Sequence, residues 1–234
     1  MDFELSAEQK EIQKAAREFA KGEFDKELAQ EIDRTHEFPL KIWEKAAALG
    51  FIGIHFPEKY SGQGLGVLEN ILVAEEFCRQ DSTIGSAVIL CSFASECILR
   101  FASEDLKAMF LPPIAEGKLL SGGAFTEPDH GSDITCMNTT AVKDAEQWVL
   151  NGTKTFITNG GHALTGFYTV LCQTDPDSKP PYRGISMILV EADRKGVSAA
   201  DVGQKMGIHG MATAEVNFKD VRVPTTNLIG QEGR

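Results

Sequence analysis

Phe125-Thr126-Glu127-Pro128-Asp129-His130-Gly131-Ser132-Asp133 divides the chain into two kinds of pattern. Before it, apolar residues recur at helical spacing. After it, short runs separated by Asn, Asp, Gly and Pro read as strands and turns. A second polar segment, Lys154-Thr155-Phe156-Ile157-Thr158-Asn159-Gly160-Gly161, follows downstream. Pro128 fixes one backbone dihedral, and Gly131 permits a left-handed conformation or a close backbone approach. Two readings of Gly131-Ser132-Asp133 stand at this point. One is a plain turn in which Asp133 bonds nearby backbone; the other is a nest of backbone N–H groups for an anion such as phosphate. Likewise, Thr158 either ends an ordinary strand or offers its hydroxyl to a planar heterocycle stacked on Phe156. Neither segment carries G-x-G-x-x-G or G-x-x-x-x-G-K-[ST].

Upstream, Ser6 and Gln9 have the spacing of a capping box. Ile12, Ala15, Ala16, Phe19 and Ala20 then mark the inner face of a first helix, with Lys10, Lys14 and Arg17 outside. Pro39 and Gly50 bracket a second helical stripe of Ile42, Ala46 and Leu49 beside Trp43. Residues 56–66 read as a loop. Helices are expected over 68–80 and 83–102, the latter apolar on nearly every side and therefore surrounded. Ser103 caps a further helix to about Phe110, which Pro112-Pro113 disturbs or ends.

Downstream, Asn151-Gly152 between residues 147–150 and 153–158 predicts a hairpin with a tight primed turn. Further strands are expected at 167–173, 184–191, 214–219 and 221–223. No helical crossovers intervene, so an antiparallel barrel or sandwich is expected. The fold class is α+β, with a helical domain over 1–118 and a β domain over 119–234.

With 234 residues, 42% hydrophobic and 24% charged, the chain can bury the cores of two domains. A net charge of −11 argues against nonspecific nucleic-acid binding, while a local pocket for a small anion stays open. Cys78, Cys91, Cys97, Cys136 and Cys172 lack C-x-x-C spacing, which favours free thiols and a reducing compartment. The histidines are scattered, so no metal site is expected. Residues 1–10 lack the apolar core of a signal peptide. Residues 87–102, interrupted by Glu96 and Arg100, are too short and charged to span a bilayer, so a soluble protein is expected.

Taken together, the T-E-P-x-x-G-S-D string, the later Phe156-Ile157-Thr158-Asn159, Lys205-Met206-Gly207 and Asp220-Val221-Arg222-Val223-Pro224 resemble the acyl-CoA dehydrogenase family. The resemblance implies an FAD enzyme that removes the α proton and β hydride of an acyl-CoA. It also implies Phe125 and Thr126 on the pyrimidine side of the flavin, and Gly131 and Ser132 by the pyrophosphate, with Ser132 touching substrate pantetheine. Phe156, Ile157 and Thr158 would back the ring. Phe156 stands where many members have Trp, His130 where a small residue is usual, and His209 where Arg is common. The family's second helical domain, which supplies the base, would follow residue 234, so no catalytic residue is named and Glu127 is read as structural. Electron-transferring flavoprotein as acceptor, a homotetramer at full length, and the bacterial cytoplasm or mitochondrial matrix are implied. An acyl-CoA oxidase, a flavin monooxygenase and a non-catalytic CoA- or partner-binding fragment are the alternatives.

Overall fold

The computed structural model describes residues 4–233; residues 1–3 and 234, at the ends of the terminal stretches read above, lie outside them. The chain divides into two compact units. One comprises the residues through Ser92 with Leu111–Lys118 and Lys205–Met211; the other comprises Phe93–Phe110, Leu119–Gln204 and the residues from Ala212 onward.

The first unit is helical. In α1 (Ala7–Glu23) the capping box forms as expected: Gln9 N donates to Ser6 Oγ at 3.1 Å and Ser6 N to Gln9 Oε1 at 3.0 Å. Ala16 and Ala20 are buried, but Ala15 is exposed. Phe19 lies 6.1, 5.4 and 5.4 Å from the rings of Phe24, Phe51 and Phe77, an aromatic core. Arg17, on the outer face, reaches buried Glu76 with two hydrogen bonds of 2.9 and 2.7 Å. A helix absent from the sequence reading, α2 (Lys26–Thr35), begins at Asp25, whose carboxylate accepts from Glu27 N and Leu28 N. Ile32 is its one fully buried side chain, too little for a periodic signal. Next comes α3 (Leu40–Ala48), ended by Gly50 at φ +77°. Leu49 leaves the stripe and is exposed because the helix stops before it.

Two further helices, α4 (Val67–Gln80) and α5 (Ser82–Ile89), complete the first unit's long elements. The helix expected over 83–102 is broken. After a 3₁₀ turn at Leu90–Ser92 the chain resumes as α6 (Ser95–Phe101), and Ala94 N donates to Ser121 Oγ at 3.2 Å. That side-chain acceptor takes an N–H that an unbroken helix would use in its own ladder. Phe93 and Phe101 are exposed, so the stretch is not surrounded. Among the described residues, Ser82–Phe101 is the one stretch long and apolar enough to cross a membrane by length and composition; it contains this break. α7 (Glu104–Ala115) continues through Pro112 and Pro113, because each proline removes only a donor and its carbonyl still accepts, from Glu116 N and Lys118 N.

The second unit is built on a sheet of β1 (Leu120–Ala124), β2 (Thr140–Asp144), β3 (Gln147–Thr158), β4 (Thr165–Gln173), β5 (Ile185–Glu191), β6 (Val197–Asp201), β7 (Thr213–Pro224) and β8 (Leu228–Ile229). The order is β6-β7-β3-β2-β4-β5-β8, with β1 also on β4. Pairing is mostly antiparallel, as expected, but β1 and β2 both run parallel to β4. Trp148, Leu150, Tyr168, Val170, Ile188, Val216 and Val221 are among its buried core.

The expected Asn151-Gly152 hairpin does not form. β3 runs straight through it, and the tight turn falls earlier, between β2 and β3, with Ala145 at φ +53°. Asn151 instead exchanges hydrogen bonds with Asp220 on β7, where the register shifts. Gly152 is required there because a Cβ would stand 2.6 Å from Thr139 Cα. Asn-Gly therefore marks a bulge.

Candidate functional site

β1 pairs with β4 from Leu120↔Thr165 to Ala124↔Val170, and β2 meets the same strand at Thr140↔Gln173. The two short strands thus take successive parts of one edge, and residues 125–139 leave the sheet between them as a loop. This loop holds the first polar segment.

Its two ends are fastened by Glu127. The carboxylate accepts from Asn138 N at 2.6 Å, Thr139 N at 2.8 Å and Lys154 Nζ at 2.9 Å. Lys154 Nζ also donates to Phe125 O at 3.0 Å. Glu127 is 3% and Lys154 0% exposed, so both charges are out of water. Burial works against the Glu127 anion most strongly, yet the donors around it hold its carboxyl below the ordinary value. Burial likewise pulls Lys154 below the ordinary lysine value, opposed by Glu127. These bonds make Glu127 a fastening for the loop.

The second polar segment joins the first through a bulge. Along β3 the inward positions alternate as Trp148, Leu150 and Lys154, then the register with β7 shifts between Lys154 and Ile157. Ile157 takes the next inward place, at 2% exposure, and Phe156 is ejected at φ +57° and is 67% exposed. An aromatic residue in the left-handed region is a strained exception. The same shift frees Thr155 N, which donates to Thr126 O at 2.9 Å. Consecutive residues of β3, Lys154 and Thr155, therefore hold the carbonyls of consecutive residues after β1, Phe125 and Thr126. Asn159 Nδ2 adds a bond to Ser121 O at 2.9 Å. A Cβ on Gly122 would stand 2.8 Å from the Tyr168 ring and 3.1 Å from Thr158 O, so glycine lets β1 lie this close.

Phe125, Thr126, Phe156 and Thr158 are thus gathered at one end of the sheet, half-buried or exposed. Ile157 points into the core and offers only its backbone outward. Gly131 and Ser132 are exposed on the loop, and among the described residues no hydrogen bond within the chain engages either. Asp133 follows the turn reading: its carboxylate accepts from the backbone N–H, at 3.0 Å, and the hydroxyl of Thr135. The exposed aromatic face of Phe156 suits stacking with a planar ring, and the loop's exposed Gly131 and Ser132 can offer N–H groups to phosphate, so these residues fit a flavin dinucleotide. Among the described residues no cluster of three or more His, Cys, Asp or Glu side chains fits a metal.

Sequence reasoning missed the part played by Lys154. The signal was present: period-two alternation puts this lysine on the same face as Trp148 and Leu150, and a charge on a core face requires a buried partner.

Residues 6–118 match the acyl-CoA dehydrogenase N-terminal domain, and residues 122–221 match the acyl-CoA dehydrogenase middle domain. An acryloyl-CoA reductase (NADH) of Anaerotignum propionicum is 39% identical over all of this chain and 59% of its own length. The butyryl-CoA dehydrogenase of Megasphaera elsdenii superposes with a TM-score of 0.85 at 35% identity, over 100% of this chain and 61% of that one. A chain from structural work on the electron transferring flavoprotein of Acidaminococcus fermentans gives a TM-score of 0.90 at 37% identity, over 100% of this chain and 60% of that one. The chain therefore spans about three-fifths of the length of these relatives. Its two matched domains, in the family's order and together running from residue 6 to residue 221, make it a member of the acyl-CoA dehydrogenase family.

Proposed function

We propose that the protein catalyses FAD-dependent α,β-dehydrogenation of an acyl-CoA thioester. Residues 1–118 serve as its helical domain and 119–234 as the β domain that seats the cofactor. Phe156 gives the ring its apolar backing, and the Thr126 and Thr158 hydroxyls donate to its polar edge. Ile157 contributes backbone and Phe125 side-chain contact. Gly131 and Ser132 present N–H groups to the pyrophosphate, and Ser132 to the pantetheine arm. When bound, FAD supplies the two-electron acceptor for the β hydrogen as the α proton departs to a base. No described residue is assigned as that base.

The observation that carries this reading is the Thr155–Thr126 bond, which unites two separately encoded loops beside an aromatic ring turned outward at a backbone cost. The butyryl-CoA dehydrogenase of M. elsdenii supports a short acyl chain as the first substrate to try. The A. fermentans work supports electron transferring flavoprotein as acceptor. A homotetramer in the bacterial cytoplasm or mitochondrial matrix completes the proposal.

The test is an anaerobic titration of the full-length purified protein with butyryl-CoA and longer and branched acyl-CoAs. A yellow protein whose visible absorption bleaches with at least one of them supports dehydrogenation. A colourless protein that takes up no FAD refutes it. Rapid reoxidation of the bleached protein by air would assign an oxidase.

A further inference from the structure

We infer that the buried Lys154–Glu127 pair is a positioning device for the cofactor: it sets where the Phe125–Thr126 backbone stands relative to Phe156. The inference rests on the flavin reading above and goes beyond it by assigning a role to two buried residues that the reading leaves unused.

Residues 125–139 must leave and rejoin one edge of β4, so the loop's two ends have to converge. Glu127, just past β1, grips the N–H groups of Asn138 and Thr139, just before β2. That bridge fixes the loop to itself, while Thr155 N and the β2–β3 pairing hold its ends against β3. Lys154 adds the link between the two. Its ammonium ties the carboxylate to β3 and, with a second donor, takes the carbonyl of Phe125. Thr155 N takes the next carbonyl, at Thr126, and the following residue is the ejected Phe156. One dipeptide of β3 therefore dictates the placement of both walls. A pair of apolar residues of similar volume would fill the same space, but would supply no directed bonds to the carboxylate-bridged loop or to Phe125 O. Misplacing a positioned group by about 1 Å can cost on the order of a hundredfold in function, so a device of this kind has a measurable consequence.

The experiment uses the full-length protein and its Lys154→Met and Glu127→Gln variants. Three quantities are read: the FAD dissociation constant well below the unfolding transition, the urea midpoint, and amide hydrogen exchange at Asn138 and Thr139. A positioning role predicts FAD binding weakened on the order of tenfold to a hundredfold in Lys154→Met, with faster exchange at both amides and a shifted visible band for the flavin that still binds. Glu127→Gln keeps the shape and one acceptor, should move the same way by less, and carries the comparison if Lys154→Met does not fold. A lowered urea midpoint with unchanged FAD affinity and flavin spectrum in whichever variant folds overturns the inference and leaves the flavin reading intact. Wild-type protein that binds no FAD overturns the flavin reading itself, and the inference with it.

Discussion

Replacing Phe156 by alanine and by glycine separates what its backbone costs from what its ring does. At φ +57° an L-residue bears a steric penalty of roughly 1–2 kcal/mol that glycine escapes. Glycine gives back about 0.5–1 kcal/mol through its larger unfolded-state entropy. At the midpoints of those ranges, about 1.5 less about 0.75, Phe156→Gly is more stable than Phe156→Ala by ~0.75 kcal/mol, the reverse of the usual order. Phe156 is 67% exposed, so truncation forfeits only about a third of a burial worth ~1.5–3 kcal/mol, or ~0.5–1 kcal/mol. Phe156→Gly should therefore lie near the wild type in stability, with Phe156→Ala below it by ~0.75 kcal/mol, a few degrees at most in Tm. Both variants should lose FAD. The assays are urea and thermal unfolding of the apoproteins, then flavin retention through gel filtration. An alanine variant as stable as the glycine variant would refute the strained bulge. Undiminished FAD retention in both would refute the ring as the cofactor's backing.

Three other outcomes follow from the same structure. His209 Nε2 faces Lys205 O at 2.8 Å and Nδ1 faces Asp33 Oδ1 at 2.6 Å, with the His36 ring stacked at 4.4 Å; the Lys205 carbonyl first, then Asp33, raises the imidazole's pKa above 6.5. Its contribution is then complete below the unfolded value of about 6.5 and fades as pH rises through the folded one, so Tm should fall across that window in the wild type and less in His209→Gln. Arg17→Ala removes both hydrogen bonds that Arg17 makes to the Glu76 carboxylate, whose side chain is 2% exposed, and should lower the urea midpoint; Glu76→Gln/Arg17→Ala should recover part of the loss. Gly122→Ala pushes a methyl against the Tyr168 ring and should cost ~1–3 kcal/mol in unfolding experiments.

The helices with a long apolar stripe and a local cap were legible in the sequence because those signals are short-range: Ser6 and Gln9, Pro39 and Gly50. α2 was not, since one buried Ile32 makes no stripe. The break after Ile89 depends on Ser121, far along the chain, accepting from Ala94. Asn151-Gly152 misled for a related reason. Its preference for left-handed backbone serves a bulge as readily as a turn, and the choice is made by Asp220 on another strand. At the site, the polar segments and their glycines could be read directly. That they meet could not, because the Thr155–Thr126 bond exists only once a register shift against β7 has released Thr155 N. The outward turn of Phe156 and inward turn of Ile157 come from that same shift.

The central claim is that the ends of β1 and β3 form one seat for a flavin. Equilibrium titration of apoprotein with FAD, followed by quenching of flavin fluorescence in the wild type and in Thr126→Ala and Thr158→Ala, tests it most directly. The account predicts saturation at one FAD per chain, with weaker binding in each variant and a double variant that is weaker still. Saturable binding untouched by both substitutions, or no binding to the wild type, would contradict it.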